Sequence, residues 1–233
     1  MKRKKKLYEG RTKNIYTLDD PDQLIQEFKD DVSAFNEAKP LVIKGKGIID
    51  KNVSVYLFEY LEGFHIPTHF LKDIGDREML VKRLDMIPIE VVMCNITADS
   101  LSKRYGLEQG KELNFPIMEF YIKDNERQKQ MINQTHIVAF ELATMDEVRM
   151  IERMTSKINA ILKSFFLRRN LKLVDFKLEY GRYKNKIVVG DEISPDSCHL
   201  WDVATGKRFD KIGFRSDLGN AESAYEEIKK RIF

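Results

Sequence analysis

Leu171-Lys172-Leu173-Val174-Asp175-Phe176-Lys177-Leu178-Glu179-Tyr180-Gly181 alternates apolar with charged or polar side chains over most of its length. In a strand, successive side chains point to opposite faces. Asp175, Lys177 and Glu179 therefore share one face, and Val174, Phe176, Leu178 and Tyr180 share the other. A turn follows over residues 181–186, and Ile187-Val188-Val189 heads back toward Asp191-Glu192. A hairpin with its loop centred near Asn185 sets Glu179 almost opposite Asp191. The carboxylates of Asp175, Glu179 and Asp191 then crowd one patch of a rigid sheet together with the Lys177 ammonium. Like charges so placed repel and weaken a strand pair unless something positive compensates. Lys177 is one candidate. A bound Mg2+ with phosphate oxygens is the other, because Mg2+ takes one or two carboxylates and completes its shell with phosphate and water. The same alternation also describes an ordinary surface hairpin with one solvated face. Ser194-Pro195-Asp196-Ser197-Cys198-His199 follows at once. It reads as a loop leaving the sheet, where site residues commonly sit. A lone histidine such as His199 is more often structural or simply exposed.

Before this strand, the spacing predicts a helix over residues 144–170. Thr144 and Glu147 form a capping box, and Val148, Ile151, Met154, Ile158, Ile161, Leu162 and Phe165 make one apolar face. A shorter helix is expected over residues 220–232. Toward the N-terminus, residues 7–16 read as two strands around Gly10-Arg11-Thr12-Lys13. Residues 23–28 read as a third strand, ended by Asp30-Asp31. Residues 52–62 have helical apolar spacing, stopped by Gly63. Residues 79–85 and 89–93 are extended, with Ile87-Pro88 interrupting them as a strand edge or a linker between subdomains. Strands come in bunches and helices intervene irregularly, so the fold class is α+β rather than a regular βαβ repeat.

The first hairpin is a second place for chemistry. Gly10 permits a tight turn, and Arg11 and Lys13 alternate so that both can point one way. That arrangement suits a polyphosphate, and an ordinary turn has the same appearance. It is not a Walker loop, and neither is Gly45-Lys46-Gly47. His65 and His69 are four apart, but Pro67 between them argues against a helical metal pair. No zinc-type spacing and no Gly-x-Ser-x-Gly elbow is present.

Across 233 residues, 40 basic and 37 acidic side chains leave a formal charge of +3. Five of the first six residues are Lys or Arg, so the rest carries 3 − 5 = −2. A nucleic-acid binder would spread a basic stripe with aromatics over a face, so no nucleic-acid partner is expected. No apolar run approaches the roughly 20 residues of a membrane helix, so no membrane-spanning role is expected. The basic start is followed by no apolar stretch of signal-peptide type, and Cys94 and Cys198 cannot make a disulfide framework. A cytoplasmic protein with reduced thiols is the expectation.

Several strings together resemble the SAICAR synthetase (phosphoribosylaminoimidazole-succinocarboxamide synthase) family of purine synthesis. They are Leu7-Tyr-Glu-Gly-Arg-Thr-Lys13, Phe28-Lys-Asp-Asp-Val-Ser-Ala-Phe35, Val81-Lys-Arg-Leu-Asp-Met86, Leu173-Val-Asp-Phe-Lys-Leu-Glu179, Asp191-Glu-Ile-Ser-Pro-Asp196 and Leu200-Trp-Asp202. The resemblance runs from Leu7 to the terminal helix. It implies an α+β fold with a small N-terminal β-rich subdomain, residues 1–85, and a larger C-terminal subdomain, residues 86–233. ATP would lie in the cleft between them. It implies a ligase that uses ATP and Mg2+ to activate a carboxylate, as an acyl phosphate, for attack by an amine. By the same resemblance Arg11 and Lys13 meet the ATP phosphates, and Lys82, Leu84 and Met86 line the adenine pocket. Glu179 and Asp191 handle Mg2+ and phosphate, with Asp175 and Lys177 beside the reacting groups. The partners implied are a small acid and an amine, with a homodimer or larger homo-oligomer common in the family.

Departures from the family pattern cluster. Where the family reads Val-Arg-Asn-x-x-x-Gly-Ser-Leu, this chain has Met93-Cys94-Asn95-Ile96-Thr97-Ala98-Asp99-Ser100-Leu101. Cys94 stands for an arginine and Asp99 for a glycine. His199 stands for a second arginine, and Lys129-Gln130 for an Asp-Pro pair. Asp210-Lys211-Ile212-Gly213-Phe214-Arg215 replaces Asp-Lys-Asp-x-Phe-Arg and keeps Lys211 and Arg215. In the family the two arginines belong to the pocket for the ribotide phosphate, a task their bidentate fork suits. Cys94, Asp99, Ser100, His199, Lys211 and Arg215 are thus the expected substrate-pocket residues. The leading expectation is an amide ligase of this family with a changed acid, such as a sugar acid or nucleotide-linked uronate. The alternative is an authentic SAICAR synthetase, and a non-catalytic nucleotide-binding protein is a third reading.

Overall fold

The computed structural model describes residues 3–32, 41–123, 130–209 and 218–233. In chain order these form β1 (Lys6–Glu9), β2 (Lys13–Thr17), β3 (Gln23–Phe28), β4 (Asp31–Val32), β5 (Leu41–Val42), α1 (Lys46–Glu62), β6 (Phe70–Gly75), β7 (Glu78–Lys82) and β8 (Asp85–Ile96). Then come α2 (Asp99–Tyr105), β9 (Glu112–Ile122), β10 (Met131–Ile132), α3 (Gln134–Ala139), α4 (Met145–Leu167), β11 (Leu171–Tyr183), β12 (Lys186–Gly190), β13 (Cys198–Asp202) and α5 (Leu218–Ile232). The fold is α+β. One antiparallel sheet runs β1-β2-β3-β7-β6, and a larger one runs β10-β9-β8-β11-β12, with β13 also pairing β11.

The hairpin β11–β12 forms as its alternation requires. Val174, Phe176, Leu178 and Tyr180 are buried, and α4 packs over that sheet. Tyr183 pairs Lys186, and the two turn residues Lys184 and Asn185 have φ of 48° and 62°. Both are left-handed, as a two-residue turn matched to strand twist demands. Glu179 pairs Gly190, so Asp191 lies one residue from facing it. The α4 capping box is present: the Thr144 amide donates to Glu147 at 2.8 Å and the Glu147 amide to the Thr144 hydroxyl at 3.3 Å.

Four local expectations need correction. Helix α1 begins at Lys46, not at residue 52. Its start is held from a distance: the Asp30 carboxylate accepts from the amides of Gly45 and Gly47 at 3.2 and 2.9 Å while Arg77 grips it bidentately at 2.7 and 2.6 Å. No local cap sequence announces that. At the other end Gly63 stays right-handed, and His65 takes the left-handed conformation with φ 60°. Pro88 does not interrupt its strand, because β8 runs through it. Against β11, Glu90 pairs Glu179 and Met86 pairs Gly181, so three residues oppose Tyr180 in a bulge. Lastly, Cys198 and His199 are not in a loop. They open β13, with Cys198 beside Phe176 and His199 beside Asp175.

The two sheets meet at a short junction. Thr68 bridges Val189 in parallel, the His69 amide donates to the Val189 carbonyl at 2.8 Å, and the Val189 amide donates to the Pro67 carbonyl at 3.0 Å. The Lys82 amide donates to the His69 carbonyl at 2.7 Å. Two main-chain bonds therefore set the end of β12 against the segment that leads into β6, and the third ties that segment to the end of β7.

Candidate active site

Charged side chains from both sheets converge at this junction. Gly10 closes the first turn, its amide donating to the Lys13 carbonyl at 2.7 Å. A side chain on Gly10 would meet the Tyr8 ring at 3.0 Å and the Lys13 carbonyl at 3.2 Å. The turn delivers Lys13 from the small sheet to the end of β12, where its ammonium binds the Asp191 carboxylate and Glu192 Oε1, the latter at 2.7 Å. Gln26 of β3 adds a bond to the Asp191 carbonyl at 2.9 Å. Asp191 itself has φ 60°, a left-handed conformation that aspartate tolerates better than most residues. Arg11 is exposed in the turn and does not join this cluster.

On the large sheet, Glu179 accepts from Lys123 at 2.5 Å, and Lys177 lies 3.8 Å from Glu90. Burial opposes charge on all of these groups, and the neighbours decide the outcome. Burial and the Asp191 charge raise the Glu179 carboxyl above its ordinary range, with Lys123 pulling the other way. Burial likewise pushes Asp191 up, but Lys13 outweighs it and the carboxyl ends below its usual range. Burial works against the Lys13 ammonium, yet Asp191 and Glu192 hold it far above the ordinary lysine value. For Lys177 burial is outweighed by Glu90, Asp191 and Glu192, and its pKa is raised. These are close, mutually repelling carboxylates kept ionisable by lysines. Buried Glu179 on β11 and half-buried Asp191 just past β12, with positive charge already drawn to both, fit a hard divalent cation such as Mg2+.

Lys82, Leu84 and Met86 lie beside the same junction. The Lys82 ammonium donates to the Thr68 carbonyl at 2.8 Å. Leu84 and Met86 cover the hairpin where it is bare: a side chain on Gly181 would meet Leu84 at 2.7 Å, and one on Gly190 would meet Leu84 at 3.1 Å and Met86 at 3.5 Å. The two glycines let Leu84 and Met86 pack directly onto the hairpin backbone, a contact that the strand alternation alone does not reveal.

The residues expected in the substrate pocket divide. Cys94, Asp175 and His199 form one cross-strand row on β8, β11 and β13, the imidazole Nδ1 lying 3.0 Å from the Asp175 carboxylate. Burial pushes the Cys94 thiol up to about 12, so it is a poor nucleophile at neutral pH. Asp99 opens α2 with φ 43°, the left-handed region that glycine enters most easily. Its charge is not left to repel an anion, because Arg208 clasps it at 2.6 and 3.2 Å. Ser100 is exposed on the first turn of α2. Lys211 and Arg215 lie outside the described residues, as does Lys129.

Sequence reasoning missed the buried neighbours. Lys46 is fully buried and donates to Asp50 at 2.6 Å and Asp196 at 2.5 Å, while Tyr225 of α5 donates to Asp196 at 2.9 Å. Burial raises Asp50 to about 8, with Lys46 opposing and Asp196 and Glu192 adding to the rise. Glu192, which stands next to Asp191, links this group to Lys13. Its signal was the adjacent acidic pair. Lys123 and Lys46 gave none, because only the tertiary fold brings them to carboxylates.

A profile described as SAICAR synthetase matches residues 6–232. The phosphoribosylaminoimidazole-succinocarboxamide synthase of Chloroherpeton thalassium is 50% identical over 232 residues, covering 100% of this chain and 99% of its own. The crystal structure of the synthase of that name from Ehrlichia chaffeensis is 41% identical, with a TM-score of 0.94 and 98% of each chain covered. A SAICAR synthetase solved in complex with ADP is 45% identical, with a TM-score of 0.92, covering 97% of this chain and 96% of that one. None of these relatives supports a changed acid substrate; they favour the alternative reading, the purine enzyme.

Proposed function

The chain belongs to the SAICAR synthetase family, and from that premise we propose that it joins carboxyaminoimidazole ribotide to L-aspartate at the expense of ATP, in purine biosynthesis. It is an ATP-dependent, ADP-forming carbon–nitrogen ligase. The observation that carries the assignment of the site is the meeting of Lys13 from one sheet with Asp191 and Glu192 from the other. A subdomain boundary at 85/86 puts ATP in the cleft that this contact spans.

In this reading Lys13 turns from its carboxylate partners toward the β- and γ-phosphates, and Arg11 adds charge at the turn. Leu84 and Met86 offer the base an apolar surface, with Lys82 beside them. Glu179 and Asp191 would hold Mg2+, which supplies charge neutralisation at the transferred phosphoryl group. Their mutual repulsion is relieved by a cation, which favours loading. Lys177 reaches from the same strand face toward the carboxylate that accepts the phosphoryl group. It offsets the charge that builds when that carboxylate attacks. The amine of L-aspartate then adds to the acyl carbon and phosphate leaves. The row Cys94–Asp175–His199, with Ser100, Asp99, Lys211 and Arg215, is assigned to the two substrates. A cytoplasmic location fits this chemistry, and no helix among the described residues is long and apolar enough to cross a membrane.

The test is release of phosphate from ATP with the ribotide and L-aspartate, each omitted in turn. Saturable turnover needing both supports the purine enzyme. Tight ATP–Mg2+ binding with no turnover would overturn it and return attention to other acids.

A further inference from the structure

Asp50, Glu192 and Asp196 bring three carboxylates together in the interior, each offering an oxygen within 4.8 Å of the others. All three are buried, and so is the Lys46 ammonium that donates to Asp50 and Asp196. One ammonium does not neutralise three carboxylates. Tyr225 of α5 donates to Asp196 at 2.9 Å, and the Ser194 hydroxyl donates to Glu192. Lys13 reaches Glu192 from the small sheet at 2.7 Å, but it is shared with Asp191. One oxygen is left over: Asp50 Oδ1 is enclosed and has no hydrogen-bond partner. An unpaired anionic oxygen in the interior is far costlier than a neutral carboxyl group. Carboxylates that share a site settle this by keeping a proton on one of them. Asp50 is the one that burial and its neighbours favour, its carboxyl raised to about 8. The charged and titratable groups that face it are Lys46 from its own helix, Asp196 and Glu192 from the segment after β12, and Tyr225 from α5. Glu192 is the link outward, because its other partner is Lys13.

We propose that Asp50 is a positioning residue of the nucleotide site: by taking a proton from solvent it lets Glu192 release Lys13 to phosphate. This rests on the nucleotide reading above and adds to it a proton linkage through a fully buried residue. When Lys13 turns to phosphate, the Glu192 charge is left facing Asp50. A new O–H bond on Asp50 Oδ1 removes one of the two charges, and no other covalent bond is made or broken in the protein. A neutral Asp50 also lowers the negative potential that holds Lys13 and opposes phosphate. Nucleotide affinity is therefore greatest with Asp50 protonated, and it falls as pH rises through about 8.

The test is calorimetric binding of ADP with Mg2+ from about pH 7.5 to about pH 9, where the ADP phosphates stay ionised. Proteins are the full chain and Asp50→Asn. Asparagine keeps an oxygen for Lys46 and has an N–H where the carboxyl group has its O–H, so it stands for the protonated state. The two proteins should bind ADP alike at the lower pH. At the higher pH the wild type should be weaker than the variant by about three- to eightfold, because a carboxyl near 8 must then gain its proton on binding. A merely structural Asp50 would lower affinity or melting temperature at every pH. Parallel pH profiles overturn the proposal, and so does a variant that stays weaker throughout. Should Asp50→Asn not fold, wild-type binding at about pH 8 in two buffers of different ionisation enthalpy decides. Uptake of a fraction of a proton supports the linkage, and zero exchange or release overturns it. Absence of ADP binding by the wild type at every pH would overturn the nucleotide reading and this proposal with it, whereas parallel profiles overturn this proposal alone.

Discussion

Asp191 combines a left-handed backbone with a carboxylate tied to Lys13, so its position is held from both ends. Asp191→Asn keeps the shape and removes the charge. Lys13 would retain Glu192, so the fold should survive with its melting temperature nearly unchanged. Turnover should fall by at least about a hundredfold, because a Mg2+ held as proposed would lose a ligand charge where phosphoryl transfer needs it. Phosphate-release kinetics against Mg2+ concentration, with a thermal melt as control, would check this. Near-normal activity would remove the metal-site assignment. The acidic face of the central strand was legible because Asp175, Lys177 and Glu179 obey a two-residue period. The pairing of Asp99 with Arg208 was not. Those residues lie far apart in the chain, and only the fold brings the guanidinium to the carboxylate.

At the scale of elements, the two-residue turn of the β11–β12 hairpin has lysine and asparagine where asparagine and glycine are preferred. The double variant Lys184→Asn, Asn185→Gly should relieve left-handed strain and stabilise by about 1 kcal/mol, or about 2–4 °C in melting temperature. An unchanged or lower midpoint would show that the turn is already relaxed. The opposite effect is expected at Gly181→Ala. The added methyl meets Leu84 at 2.7 Å and the Asp85 carbonyl at 3.0 Å, so the segment that carries Leu84 and Met86 must shift. KM for ATP should rise several-fold while KM for the amine holds; equal changes in both would point to general unfolding. Elements with local signals were read correctly from sequence: the alternating hairpin and the boxed α4. Those fixed by distant partners were not. The start of α1 depends on Asp30 and Arg77, and β13 is a strand only because β11 offers it a free edge.

Over the whole molecule, pH should act through groups whose charge the fold forbids or favours. His69 is held neutral, its pKa pushed down to about 3 by burial, so the unfolded chain binds a proton that the folded one does not. That stability is complete above the unfolded value near 6.5 and is lost as pH falls below it. Glu147 behaves alike lower down. Its hydrogen bonds to Arg182 take it to about 2, so its contribution fades as pH drops from about 4.5 toward 2. Between pH 7 and 5.5 only the first effect operates of these two. The melting temperature of the wild type should decline there more steeply than that of His69→Phe. Parallel slopes in differential scanning calorimetry would show that the imidazole is not kept neutral.

The bonds among Pro67, His69, Val189 and Lys82 have a mechanical meaning as well. They run like the spine of a book, with one sheet as each cover. Rotation about that line can part Lys13 from Asp191 without stretching the spine, whereas sliding one cover along the other would break both Val189 bonds. Opening is therefore a swing, largest at the Gly10 turn and vanishing at Val189. A probe pair spanning the turn and the hairpin tip would record wide excursions, while the His69 and Val189 amides exchange with solvent only when the whole binding comes apart.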